Sequence, residues 1–425
     1  LAILAQDPRR VGTLFLGSSV LATVLSLILT TVLRTGDQSG PDWPQLVTAH
    51  GLLMMVFTLM PALCGGLGLW LLPSQIGSRT LAFPRMAVLA WLIHAASLCL
   101  AALALITGSS DAGLAALFLA GTSAILVAIN TVTTFLNMRA PGVTLGSAPL
   151  FAWSLAITGG LILMTVPAIA GASVIVAFND TADIGQTIGF FAHPLIFILV
   201  MPAFGILSEI VATFSRRGLA GRTVVLASMG VLAGLGITLW LQELFSHGYA
   251  ADGDVFMGLA TTAAIPPALV IVTAWSMSLA QGVRQWSTPL IWTIGFIVLM
   301  VGAGAFSLDS DGMARFHYTL GLGSVFGTFA GLYFWFPKVA RRQLPETMGR
   351  LHAVLMFIGV QLSFLPPIFG WPESVETAGV ILSVFSFVLF LGTAAWALRF
   401  GKVQDVPWGD LPGLEWQNDG GAIPA

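Results

Sequence analysis

Charge is almost absent from this chain, and the places where it is absent decide the fold. Asp, Glu, Lys and Arg make up 8% of the 425 residues and gather in short gaps between long apolar runs. Residues 43–78 contain none of them, and neither do residues 140–179. A bilayer core takes about 20 apolar residues as a helix, and in lipid only helices and closed barrels satisfy the backbone. Hydropathy divides the chain into twelve such runs: 11–33, 45–72, 84–107, 112–138, 148–178, 187–214, 223–247, 254–281, 287–308, 315–337, 348–371 and 374–400. The expected fold is an all-α membrane protein of twelve transmembrane helices. They form one domain, 1–400, followed by a polar tail, 401–425, ordered only where it docks. Pro167 is the candidate kink in the long fifth run. With 56% hydrophobic residues and a mean hydropathy of +0.91, a soluble globular domain is excluded.

The remaining charge orients the chain. Numbering gaps from the N-terminus, every Lys and Arg except Arg34 and Arg315 falls on the N-terminal side of the membrane. Basic loops stay in the cytoplasm, so both termini are expected there. The opposite loops are acidic, with Asp37, Asp42, Asp180, Asp252, Asp309 and Glu373 among them. The basic residues are spread over short loops rather than collected in one patch, which argues against nucleic acid as a partner. Cys64 and Cys99 lie inside apolar runs and suggest neither a disulfide framework nor a zinc site. No signal peptide is recognised, and Leu1 in place of Met leaves room for a missing N-terminal piece.

Orientation converts sequence position into depth. His50 stands about five residues into the second run, His193 about six into the sixth, and His317 just inside the tenth. Gln242 and Glu243 precede the outer end of the seventh by about four. At about 1.5 Å per residue, these residues and Arg315 share a slab roughly 10 Å deep at the outer face. Ionisable groups at such depth are costly and mark function by default. Whether they converge laterally is not determined by hydropathy.

Six stretches in order carry a family resemblance: HGLLMMVFTLMPALCGGLGLWLLPSQIG (50–77), LAFPRM (81–86), FFAHPLIF (190–197), PAFGILSEIVATFSRR (202–217), RFHYTLGLGSVFGTFAGLYFWFP (315–337) and MGRLHAVLMFIGVQLSFLP (348–366). The chain resembles subunit I of the haem-copper oxidases, the cytochrome c oxidase subunit I family. The resemblance implies a twelve-helix bundle in three arcs. It implies that His50 and His317 are the axial ligands of one low-spin haem of unspecified type. Two imidazoles on opposite faces of the ring leave the iron no open position.

The same resemblance marks departures. Arg315 stands where the family's high-spin haem ligand would be, and a guanidinium has no lone pair to donate. Gln242 and Glu243 stand at two copper-ligand positions, and only His193 keeps the third. The nearby glutamate and tyrosine positions hold Leu195 and Phe197, and the proton-path positions hold Val270, Thr80 and Ala87. FGWPESVE lacks the arginine pair that meets haem propionates. The implied cofactor is one low-spin haem, with no copper. The vacated centre is expected to be filled by an Arg315–Glu243 pair, since an unpaired buried charge is costly. An alternative is another metal held by His193, Gln242 and Glu243.

The implied function is electron transfer as a subunit of an oxidoreductase complex, rather than oxygen reduction by this chain alone. The implied partners are the membrane, other subunits of a respiratory or oxidase-like complex, and a periplasmic redox protein such as a cytochrome c. The implied location is a bacterial inner membrane. Two rivals stay open: a haem-poor structural or assembly subunit, and a quinol or other redox enzyme with an altered site. His94 reads as a hydrogen-bonded core histidine, His352 as structural, His247 as solvated, and Glu209 as a carboxylate snorkelling towards Arg216 or Arg217.

Overall fold

The computed structural model describes residues 7–35, 43–178, 184–245, 250–306, 322–404, 408–409 and 413–417. Its long helices are α1 (Pro8–Thr35), α4 (Pro84–Thr107), α5 (Ser110–Asn137), α6 (Leu150–Phe178), α7 (Ile184–Phe214), α8 (Arg222–Phe245), α9 (Ala250–Ala280), α10 (Thr288–Phe306), α11 (Leu322–Ala340), α12 (Glu346–Phe364) and α14 (Glu373–Phe400). The second apolar run starts as α2 (Trp43–Leu52), continues through π-helical segments Leu53–Leu59 and Pro61–Gly68, and ends as α3 (Leu69–Gln75). Short helices α13 (Pro366–Phe369) and α15 (Leu414–Gln417) complete the set. No strand occurs among the described residues, only an isolated bridge between Ser215 and Val283.

The chain is an all-α, multi-span membrane protein. Among the described residues, ten helices are long and apolar enough to cross a bilayer, and Thr288–Gly302 is a shorter apolar helix. The expected count of twelve is therefore not reached by this measure. The tenth expected run, 315–337, begins outside the described residues, and α11 covers its later part. Pro167 does not end its helix: α6 runs unbroken from Leu150 to Phe178.

Two compact units divide the chain: residues 1–205 with 221–273, and residues 206–220 with 274–425. In the first, α4 packs on α5 and α5 on α6, while α1 lies along the second run. The turn between α4 and α5 follows from its residues. Gly108 takes φ 67°, which costs glycine little, and its N–H closes α4 on Ala104 O at 2.8 Å. Ser109 then caps α5 by accepting from Ala112 N. The LAFPRM segment is pinned to α5 from the side. Asn130 accepts from Phe83 N at 3.1 Å and donates to Phe83 O at 2.9 Å, and Thr134 Oγ1 accepts from Ala82 N at 2.9 Å.

In the second unit, α12 packs on α14 and α10 on α11. A Cβ at Gly379 would lie 2.5 Å from Ser363 N, and one at Gly359 2.5 Å from Ser383 Oγ. Small residues let two membrane helices approach to backbone contact. Glu346 ties this unit at one end, accepting from Thr288 N at 3.0 Å and from Thr288 Oγ1 at 2.9 Å. Described parts of the tail dock here. Trp408 Nε1 donates to Phe334 O at 3.0 Å, and the Trp416 ring meets Phe334 edge-on at 5.4 Å.

Candidate functional site around His50

The site is built on the crossing of α1 with the second run. Three glycines make that crossing close. A Cβ at Gly65 would lie 2.6 Å from the Phe15 ring, one at Gly66 2.6 Å from Leu16 Cδ2, and one at Gly12 2.7 Å from Trp70 Cβ. The approach aligns a seam of small polar residues on α1: Ser19, Thr23, Ser26 and Thr30. The spacing of four, three and four residues keeps them on one helix face. Ser19, Thr23 and Ser26 are buried.

His50 lies in the last turn of α2, immediately before the π-helical segments, and is half-buried. Its Nδ1 is 3.0 Å from Ser26 Oγ and 3.3 Å from Thr30 Oγ1. The hydroxyls of the seam differ in what they do with their protons. Ser19 donates to Phe15 O at 2.9 Å, Thr23 to Ser19 O at 2.8 Å and Thr30 to Ser26 O at 2.9 Å. Ser26 instead meets His50. Sequence reasoning singled out His50 and passed over Ser26 and Thr30. The signal available was the hydroxyl spacing itself, diluted by other hydroxyl residues of the same helix such as Thr13, Ser18 and Thr31.

The other expected site residues are placed to different extents. His193 belongs to α7, and its side chain lies outside the described residues, as does that of Glu243 in α8. Gln242, beside Glu243, is half-buried. Arg315 and His317 lie outside the described residues altogether, so the expected Arg315–Glu243 pair lies there too. Leu195 and Phe197 are buried. Phe197 packs flat space that only glycine leaves open: a Cβ at Gly236 of α8 would lie 2.7 Å from its ring. Val270 is exposed, and Ala87 is fully buried.

Two further histidines are enclosed. His94 is buried between the Phe15 and Phe57 rings, with centroids at 5.5 and 6.2 Å, beside a small cavity reached by Met60, Cys64 and Ser123. The expectation of a hydrogen-bonded core histidine needs correction here, because His94 Nε2 has no hydrogen-bond partner among the described residues. Aromatic packing supplies its surroundings instead. His352 is fully buried, with Nδ1 at 3.1 Å from Tyr333 Oη. Cys64 is buried and Cys99 exposed, each a free thiol. Glu209 is half-buried, and His247 lies outside the described residues.

The family described as Cytochrome C and Quinol oxidase polypeptide I matches residues 10–308 and 312–398. The chain belongs to this family. It is 33% identical to cytochrome c oxidase subunit 1 of Cereibacter sphaeroides over 85% of this chain and 76% of that one. It is 28% identical to cytochrome c oxidase subunit 1 of Thermostichus vulcanus, over 92% and 83%. It is 30% identical to the probable cytochrome c oxidase subunit 1-beta of Nocardia farcinica, over 97% and 83%. The matched residues of this subunit I family contain α1 from Arg10 onward and the second run, and so the whole His50 site. They also contain His193, Gln242, Glu243, Arg315 and His317.

Proposed function

We propose that this chain is an electron-transfer subunit of a respiratory, oxidase-like complex, with His50 and His317 as the axial ligands of one low-spin haem near the outer membrane face. The observation that carries the reading is the setting of His50. A ligating histidine needs one ring nitrogen held by a second-shell partner and the other turned to the metal. Two hydroxyls of α1 hold Nδ1, and half-burial leaves the ring in reach of a bound group. The donor chemistry of a neutral imidazole there suits haem iron. Such a haem, when bound, supplies one-electron transfer without an open coordination position.

The reading also holds that the family's oxygen-reducing centre is absent from this chain. The family resemblance implies an oxygen-reducing centre of haem and copper. Here Arg315, Gln242 and Glu243 replace three of the ligands, and His193 alone remains of the copper set. The burial of Leu195 and the packing of Phe197 on Gly236 support this, because both positions serve the apolar core. Arg315 and Glu243 then neutralise one another where the two metals would have faced. The chain is one domain, 1–400, with a cytoplasmic tail, 401–425. It works in a bacterial inner membrane with other subunits, and its acidic outer loops receive a periplasmic redox protein such as a cytochrome c.

The test is the dithionite-reduced minus oxidised visible spectrum of the purified protein, followed by addition of CO. One low-spin haem per chain that ignores CO is the expected result. His50→Ala and His317→Ala should each abolish it. A haem-free protein would leave a scaffold. A second haem that binds CO would restore an oxygen-reducing reading.

A further inference from the structure

We propose that Met60, Cys64 and His94 form a binding site for one soft monovalent metal ion, of the Cu(I) class, inside the first compact unit. None of these donors belongs to the haem or copper positions discussed above, so the site stands apart from the haem reading. The starting point is a nitrogen without a partner. His94 is 2% exposed, and its Nε2 has no hydrogen-bond partner among the described residues. Such a buried polar atom is costly to leave unpaired. Its ring lines a cavity of about 20 Å³, room for about one water or one bare ion. Met60 and Cys64 of the second run are buried and line the same cavity. They stand four residues apart, which puts both sulfurs on one face of their helix. Cys64 lies in the π-helical segment Pro61–Gly68, a departure from α geometry that recurs at functional sites. The Phe15 ring ties the two sides together. Its centroid is 5.5 Å from that of His94, and a Cβ added at Gly65, next to Cys64, would lie 2.6 Å from its Cγ.

The donor set selects the ion. Thiolate and thioether are soft ligands that select Cu(I), and imidazole suits copper too, whereas Mg, Ca and Mn take carboxylate, carbonyl and water. No Asp or Glu lines the cavity among the described residues, and Ser123, the one hydroxyl of its lining, already donates to Ala90 O at 2.7 Å. Charge points the same way. The walls are apolar, with Phe15, Val56, Val127 and Ile162 among them, and a net charge buried there is costly. Cys64 loses its thiol proton to solvent as the metal–sulfur bond forms. One thiolate then cancels one positive charge and leaves a divalent ion uncompensated. Three donors also serve Cu(I), while structural zinc takes four. A lone water explains the set less well, because it asks for two to four polar partners and the two sulfurs are weak ones. Sulfur ligation keeps the ion reduced, since Cu(II) favours tetragonal nitrogen and oxygen sets, so the site binds without turning over. The lining comes from α1, the second run, α4, α5 and α6. His193 belongs to α7, and Gln242 and Glu243 to α8, so this is not the family's copper centre restored.

The experiment dialyses the purified, reduced full chain against Cu(I) buffered with bicinchoninate and counts retained copper by mass spectrometry. Wild type should retain a single equivalent. Cys64→Ala and His94→Leu should each lose it, and Met60→Leu should hold it only against less chelator. Cys99→Ala removes the exposed thiol and should match wild type. Ag(I), a redox-inert ion of the same softness, should displace the copper. X-ray absorption of the copper-loaded wild type should show sulfur and nitrogen neighbours together. That measurement needs no variant and decides the matter where Cys64→Ala or His94→Leu misfolds. Wild type that retains no copper overturns the inference. So does copper that survives both Cys64→Ala and His94→Leu, copper lost with Cys99→Ala instead, or an absorption spectrum without sulfur neighbours. The haem spectrum is read on the same samples. Haem without copper overturns this inference alone, and copper without haem overturns the haem reading alone.

Discussion

Two imidazoles of this protein make the same first contact in different surroundings. His50 and His352 each engage a hydroxyl through Nδ1, at 3.0 Å from Ser26 and 3.1 Å from Tyr333. Around His50 the neighbours on α1 are small hydroxyl residues, and the ring is half-buried at the end of a helix. Around His352 the neighbours are rings. Trp292 and Phe329 meet it edge-on at 4.8 and 4.6 Å, and Phe390 stacks on it at 5.3 Å. Its Nε2 is sealed and has no hydrogen-bond partner among the described residues. On the proposed reading, a hydrogen bond at Nδ1 is not by itself what distinguishes the two histidines. That reading also asks for access to the other nitrogen, and at His352 aromatic rings surround it.

The first way to break this comparison is to remove each ring. His50→Ala should erase the low-spin haem spectrum, whereas His352→Ala should leave it intact per folded molecule. Loss of the signal in both would mean that the cage is not merely structural. The next effect belongs to packing. Trp292 is fully buried and touches Phe326, Phe329 and His352. Trp292→Ala should cost about 3–5 kcal/mol, read as a lower unfolding midpoint in detergent, with the haem spectrum of the surviving folded protein unchanged.

Smaller changes sharpen the contrast. Tyr333→Phe deletes one buried hydrogen bond and strands His352 Nδ1, so about 1–3 kcal/mol should be lost without any movement of the haem midpoint. Smallest of all is Arg350→Ala, which removes a 3.4 Å ion pair to Glu346 at a partly exposed site. The pair should be worth about 0–1 kcal/mol. A loss well above that in thermal unfolding would point to the bond from Arg350 to Trp286 O instead.

Much of this was legible in the residues. Runs without charge demanded membrane helices, because lipid offers the backbone no partner outside the segment. The HGL stretch marked His50 as a ligand candidate, and Arg315, Gln242 and Glu243 marked the departures in donor chemistry. Residue type carries such information directly, since a guanidinium cannot ligate wherever it points. The family match over residues 10–308 and 312–398 agrees with the stretches quoted. The number of spans was less secure, because hydropathy windows count runs and not completed helices.

Tertiary structure decided what depends on lateral contact. Ser19, Thr23, Ser26 and Thr30 have the same chemistry and regular spacing, yet only Ser26 and Thr30 reach His50. That choice is made by where α1 crosses the second run, and three glycines set the crossing. Likewise Asn130 reads as one more polar residue in a helix until Phe83, 47 residues away, closes both of its bonds. Composition and periodicity report what a residue can do along its own helix. Which neighbour it meets is a property of helix packing, where small residues permit approach and large rings forbid it, and that is settled only in three dimensions.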